Sequence, residues 1–125
     1  MENHKLVMVE DLNQYGYLFG GSLLKWVDEY AWIAASMDYP ACNFVTIGMD
    51  HVEFRKSVRS GTILKFMINK SKVGSSSVSY QVTVLVQKKK INEQDPIFST
   101  TVTFVSIDSN GRKKNLVTCD CTERD

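Results

Sequence analysis

Apolar and polar positions alternate most regularly near the middle of the chain. Val78, Tyr80, Val82, Val84 and Val86 interleave with Ser79, Gln81, Thr83 and Gln87. A period of two over that length predicts a strand with one buried face. The rhythm returns in residues 97–107, where Phe98, Val102 and Phe104 face one way, and in residues 63–71, where Leu64, Phe66 and Ile68 do. Residues 43–54 are rich in Val, Ile, Thr and Phe with apolar groups on both faces, which predicts a central strand. Residues 4–9 form a short apolar run suited to an edge strand. Only one stretch changes period. Leu23, Val27, Tyr30, Ala31, Ala34 and Met37 recur at helical spacing, with Lys25, Glu29 and Ser36 opposite them and Pro40 as the stop. Turns are expected around Gly61, around Gly74, in the polar run 88–96 and at Ser109-Asn110-Gly111.

The order is thus strand, helix, then four antiparallel strands. It predicts an α+β domain over residues 1–111, in which a curved antiparallel sheet wraps one long central helix, followed by a loose polar tail, 112–125. A chain of 125 residues suits a single core. The net charge of +1 gives no global attraction to nucleic acid or membrane, so any anion site must be a local cluster. The N-terminal MENHKLVMVED is too charged for a signal peptide. No apolar run approaches the ~20 residues of a membrane span. A cytoplasmic protein is expected. Cys42, Cys119 and Cys121 are too few and too unevenly placed for a disulfide framework. With only His4 and His51 beside them, they also fall short of a zinc site, and no metal is expected.

Candidate chemistry concentrates in residues 11–35. A loop carrying Asn13 and Gly16 leads through Gly20 and Gly21 into the helix. Unpaired N–H groups at a helix start can polarise a carbonyl, and glycine lets a ligand approach them. The same pair also makes an ordinary tight corner. Asp28 falls at the border of the apolar face, beside Leu24, Ala31 and Ala35. It reads either as a partly desolvated base or as a solvated border residue near Lys25 and Glu29. Asn13 is suited to orienting a water or to shaping a turn. Trp32 lies toward the polar side, where so large a ring suggests a partner surface. Arg55, Lys56 and Arg59 cluster in one loop as phosphate ligands or as solvated charges, whereas Lys88-Lys89-Lys90 reads as a solvated loop. Ser22 has no His–Asp pair to activate it.

These residues carry a family resemblance. N-x-x-G-x-x-F-G-G-x-L-L-x-W-x-D-E-x-A, from Asn13 to Ala31, resembles the acyl-CoA hydrolases of the hotdog fold. So do V-T-x-x-x-D-x-V-x-F from Val45, V-x-x-G from Val58, and the turn VGSSS from Val73. The resemblance spans roughly residues 5 to 108. Two loop positions differ: the family often has proline where this chain has Val9 and Glu10, and again at Ser57. The resemblance implies thioester hydrolysis without cofactor, coenzyme A being part of the substrate. Asp28 would be the catalytic carboxylate, as general base or nucleophile. Asn13 would act opposite it from a partner chain, and Gly20 and Gly21 would polarise the carbonyl. Arg55, Lys56, Arg59 and the turn Gly74, Ser75, Ser76 and Ser77 would hold coenzyme A. The implied assembly is at least a homodimer, with a tetramer or hexamer open to further pairing. Hotdog dehydratases use a histidine, which this helix lacks. The alternative is a non-catalytic acyl-CoA-binding module.

Overall fold

The computed structural model describes residues 1–87 and 94–117. Five strands, β1 (Glu2–Leu6), β2 (Asn43–Phe54), β3 (Ile63–Val73), β4 (Ser77–Gln87) and β5 (Gln94–Ile107), form one antiparallel sheet in the order β1-β3-β4-β5-β2. A helix, α1 (Gly20–Asp38), packs against β2, β3, β4 and β5 alike, so the sheet curves around it. The period-two residues form the inner wall: Phe66 pairs with Val84, and Val84 with Phe98, all fully buried. Leu23, Trp26, Val27, Ala31, Ala34 and Ala35 of α1 fill the space they enclose. Fully burying a leucine, valine or phenylalanine in this core contributes roughly 1.5–3 kcal/mol. Tyr80 is the one large polar member of the wall, and its hydroxyl donates to Asp38 Oδ2 at 2.7 Å.

Several expectations are corrected. The strand predicted at 43–54 is not central: β2 is an edge, paired only with β5. Its apolar residues point two ways because much of the strand is uncovered, with Ile47 60% and Phe54 55% exposed. β1 begins two residues earlier than expected and stops at Leu6. Asp11 accepts the Met8 N–H at 2.9 Å and coils Val9–Asp11 into a 3-10 turn. Met37 is 70% exposed although Trp26, at a similar angle around the helix, is buried, so on that side of α1 the cover ends before Met37. β5 starts at Gln94, so Asp95 and Pro96 belong to it. Lys88, Lys89 and Lys90 lie outside the described residues, as do Cys119 and Cys121.

The tail is also not loose along its first part. Asp108 Oδ1 accepts the N–H groups of Asn110 and Arg112 at 2.8 and 3.0 Å, and Gly111, at φ +79°, lets the chain reverse. Residues 112–117 then run back as a strap. Lys114 N–H donates to Ser106 O and Leu116 N–H to Ser75 O, and Leu116 packs on the core. The buried Cys42 Sγ accepts the Val117 N–H at 3.3 Å. No helix among the described residues is long and apolar enough to cross a membrane.

Candidate active site

Asn13 shapes its own loop. Its Oδ1 accepts the N–H groups of Tyr15 and Tyr17 at 2.9 and 3.1 Å, while its backbone N–H donates to Tyr17 O at 2.7 Å. Gly16 forms the apex at φ +84°. The carboxamide oxygen is therefore committed to the turn, and the Nδ2 donor makes no hydrogen bond among the described residues. The turn role and the substrate-facing role of Asn13 are compatible.

The loop ends at Phe19, whose N–H donates to Asp11 O, and α1 begins at Gly20. Phe19 provides no side-chain cap. Its carbonyl accepts the N–H groups of Ser22 and Leu23, while those of Gly20 and Gly21 have no backbone partner among the described residues. A Cβ on Gly21 would come 2.8 Å from the Phe19 ring, and one on Gly20 3.7 Å from the Phe54 ring. Gly20 lines a cleft of about 220 Å³ with Leu18, Leu23, Phe54, Arg55 and Lys56. The helix start and two of the three candidate cations thus share one opening.

Asp28 sits elsewhere. It borders a separate cleft of about 370 Å³ with Glu29, Trp32 and Ile33. Thr46 of β2 donates its hydroxyl to Asp28 Oδ1 at 2.6 Å, which fixes the carboxylate and leaves Oδ2 uncommitted. Trp32 holds the same strand, its indole N–H donating to Phe44 O at 3.1 Å. Thr46 was missed in the sequence reading. It lies inside the V-T-x-x-x-D motif, but a threonine in a strand reads first as β-propensity.

The three cations are each engaged. Arg55 pairs with Glu53 at 3.0 Å and Lys56 with Asp95 at 2.8 Å, both at the surface where such pairs exchange readily. Arg59 is bound to Tyr17. The turn Gly74, Ser75, Ser76 and Ser77 stands at the other end of β3 from this loop. The ten steps along β3 from Ile63 to Val73 span roughly 33 Å. One protomer therefore brings Gly20, Arg55 and Lys56 together, and Asp28 with Thr46, but does not unite the two groups or join either to the serine turn. Among the described residues no three His, Cys, Asp or Glu side chains cluster as metal ligands.

A family model described as the thioesterase superfamily matches residues 15–91. The chain belongs to that superfamily. It is 30% identical over 114 residues to an uncharacterized acyl-CoA thioester hydrolase of Haemophilus influenzae, covering 89% of this chain and 73% of that one. It is 31% identical over 102 residues to an uncharacterized acyl-CoA thioester hydrolase of Bacillus subtilis, covering 82% of this chain but 59% of that one. A hexameric hotdog-fold thioesterase of Campylobacter jejuni superposes with a TM-score of 0.81 at 31% identity, over 92% of this chain and 88% of that one. The architecture is the hotdog fold. An acyl-CoA hydrolase of Staphylococcus aureus, solved with butyryl coenzyme A, superposes with a TM-score of 0.85 at 28% identity, over 99% of this chain and 77% of that one. It has also been solved with an asparagine, an aspartate or a threonine replaced by alanine. That asparagine and aspartate stand fifteen positions apart.

Proposed function

We propose that this superfamily member hydrolyses acyl-CoA to a free carboxylic acid and coenzyme A, at sites shared between two chains. The observation that carries the reading is the Asp28 carboxylate, held by Thr46 at 2.6 Å beside an open apolar cleft. Its spacing from Asn13, fifteen positions, equals that of the two residues replaced in the Staphylococcus hydrolase.

The sharing follows from lengths. Gly20 and Asp28 are eight residues apart on α1, roughly 12 Å along its axis. A single thioester carbonyl needs its oxyanion donors and its base each within about 3 Å. Donors and base of one reaction therefore come from different chains. Edge strand β2 supplies the join. Asp28 and Thr46 lie toward its Asn43 end, and Gly20 and Arg55 at its Phe54 end. Antiparallel pairing of β2 with a second copy about a two-fold axis brings the two ends together twice. It also sets the Gly74–Ser77 turn of one chain toward Arg55 and Lys56 of the other.

Each group then has a task. The N–H groups of Gly20 and Gly21 stabilise the developing oxyanion. Asn13 Nδ2 donates to the water or the thioester from the same chain as those donors. Asp28 of the other chain takes a proton from water, or attacks the carbonyl to form an anhydride. Single turnover in labelled water separates these routes, because only the anhydride can leave label in the Asp28 carboxylate of the enzyme. Arg55 and Lys56 exchange their surface acids for coenzyme A phosphates.

The direct test is release of free thiol from a panel of acyl-CoA chain lengths. Release at turnover rates, lost in Asp28→Asn with the fold intact, is the expected result. Binding of acyl-CoA without release from any substrate would identify a non-catalytic binding module and overturn the proposal.

A further inference from the structure

Arg59 differs from the two cations beside it. Arg55 and Lys56 line the cleft at the helix start, and Arg59 does not. Its Nη2 donates to the Tyr17 hydroxyl at 3.0 Å, and its guanidinium carbon lies 4.6 Å from the centre of the Tyr17 ring. A Cβ on Gly16 would come 4.0 Å from its Nη1, so the group also covers the apex of the Asn13 loop. The neighbouring Val58 O accepts the Leu18 N–H at 2.8 Å and ties the same two loops together. Tyr17 in turn is bonded to Asn13 twice. It donates its N–H to Oδ1 at 3.1 Å, and its carbonyl accepts the Asn13 N–H at 2.7 Å. A phosphate ligand needs its guanidinium fork free, whereas this one has a face on a ring and a nitrogen on that ring's hydroxyl.

We infer that Arg59 is a positioning residue for thioester hydrolysis and not a ligand of coenzyme A. It clamps Tyr17, and through Tyr17 it fixes the direction of the Asn13 carboxamide. The inference rests on the proposed activity and on the part Asn13 takes in it.

The test compares an acyl-CoA with the matching acyl thioester of N-acetylcysteamine, which carries no phosphate. Arg59→Met lowers kcat/KM by the same factor for both, roughly three- to tenfold. With acyl-CoA the loss falls in kcat and leaves KM nearly unchanged. Arg59→Lys, which keeps a cation over the ring, restores part of it. Tyr17→Leu reproduces the loss, and the double variant is no worse than either single one. Without any substrate, Arg59→Met also speeds hydrogen exchange at the Tyr17 amide. If Arg59→Met does not fold, Tyr17→Phe, which removes only the hydroxyl, carries the same comparison. A loss confined to acyl-CoA and expressed as raised KM would make Arg59 a phosphate ligand and overturn the inference. So would unchanged kinetics with both substrates, or additive losses in the double variant. If the wild-type chain cleaves neither thioester, or Asn13→Ala keeps full turnover, the proposed function fails instead. Exchange at Tyr17 then decides whether Arg59 holds the loop, and unchanged exchange overturns it.

Discussion

Asp28 and Thr46 form a pair whose parts are not equivalent. In the proposed reaction the carboxylate is the reacting group, and the Thr46 hydroxyl, bonded to Oδ1, leaves Oδ2 for the chemistry. Asp28→Asn keeps the shape and the hydrogen bond but removes the base, so kcat falls by roughly a hundredfold or more while thermal unfolding is unchanged. Thr46→Val removes only the donor, and kcat falls roughly tenfold, with Thr46→Ser close to wild type. Acyl-CoA turnover measured beside circular dichroism checks both. Tyr80 makes a different prediction, about stability. Burial, and then its bond to Asp38, push its phenol above the usual 10.0. The folded value exceeds the unfolded one, so its contribution is complete below about pH 10 and declines as pH rises past that point. Tyr80→Phe costs about 1 kcal/mol at neutral pH. The gap between the variant and the wild type narrows above pH ~10. Urea unfolding at two pH values measures it.

At the scale of elements, the strap 112–117 ties the β3–β4 turn to the end of β5 through Leu116 and Lys114. Leu116→Ala removes part of a packed side chain and lowers stability by about 1–2 kcal/mol, or roughly 5–10 °C in Tm. Calorimetry reads it directly. The strap was invisible in the sequence because residues 112–117 carry only two apolar side chains and no alternation. Its hold is mainly backbone hydrogen bonding, which leaves no mark on composition. The strands and the helix were legible because their burial is periodic. The standing of β2 was not, since apolar residues on both faces describe equally a strand buried between neighbours and an edge waiting for one. The glycine loop and Asp28 were found by motif, whereas the Thr46 contact needed the helix and strand to be laid side by side. Arg59 was grouped with Arg55 and Lys56 by proximity in the chain. Its actual partner lies 42 residues away.

At the scale of the whole molecule, the proposed dimer joins through the β2 edge. Ile47, at 60% exposure, lies mid-strand and meets its own copy or its near neighbours across the proposed two-fold. Ile47→Lys sets like charges against each other there and shifts the chain toward monomer, which light scattering after size exclusion detects. Turnover falls with it, although Ile47 touches no reacting group. The division of the site gives a sharper test. Asn13→Ala and Asp28→Asn are each inactive alone, but a mixed dimer of the two holds one site with both residues intact. Equal amounts, allowed to exchange subunits, recover about a quarter of wild-type activity, since half the dimers are mixed and each has one working site of two. No recovery despite proven exchange would place both residues in one chain.

The uncovered edge of β2 also bears on how the protein behaves when scarce. If half of every catalytic centre arrives with a second chain, isolated chains carry no activity. Below the dissociation constant of the pair, rate then scales with the square of protein concentration, so halving the amount of protein cuts the rate to about a quarter. Substrate that bridges the seam resists this loss by holding the chains together. A dilution series run with and without saturating acyl-CoA therefore diverges.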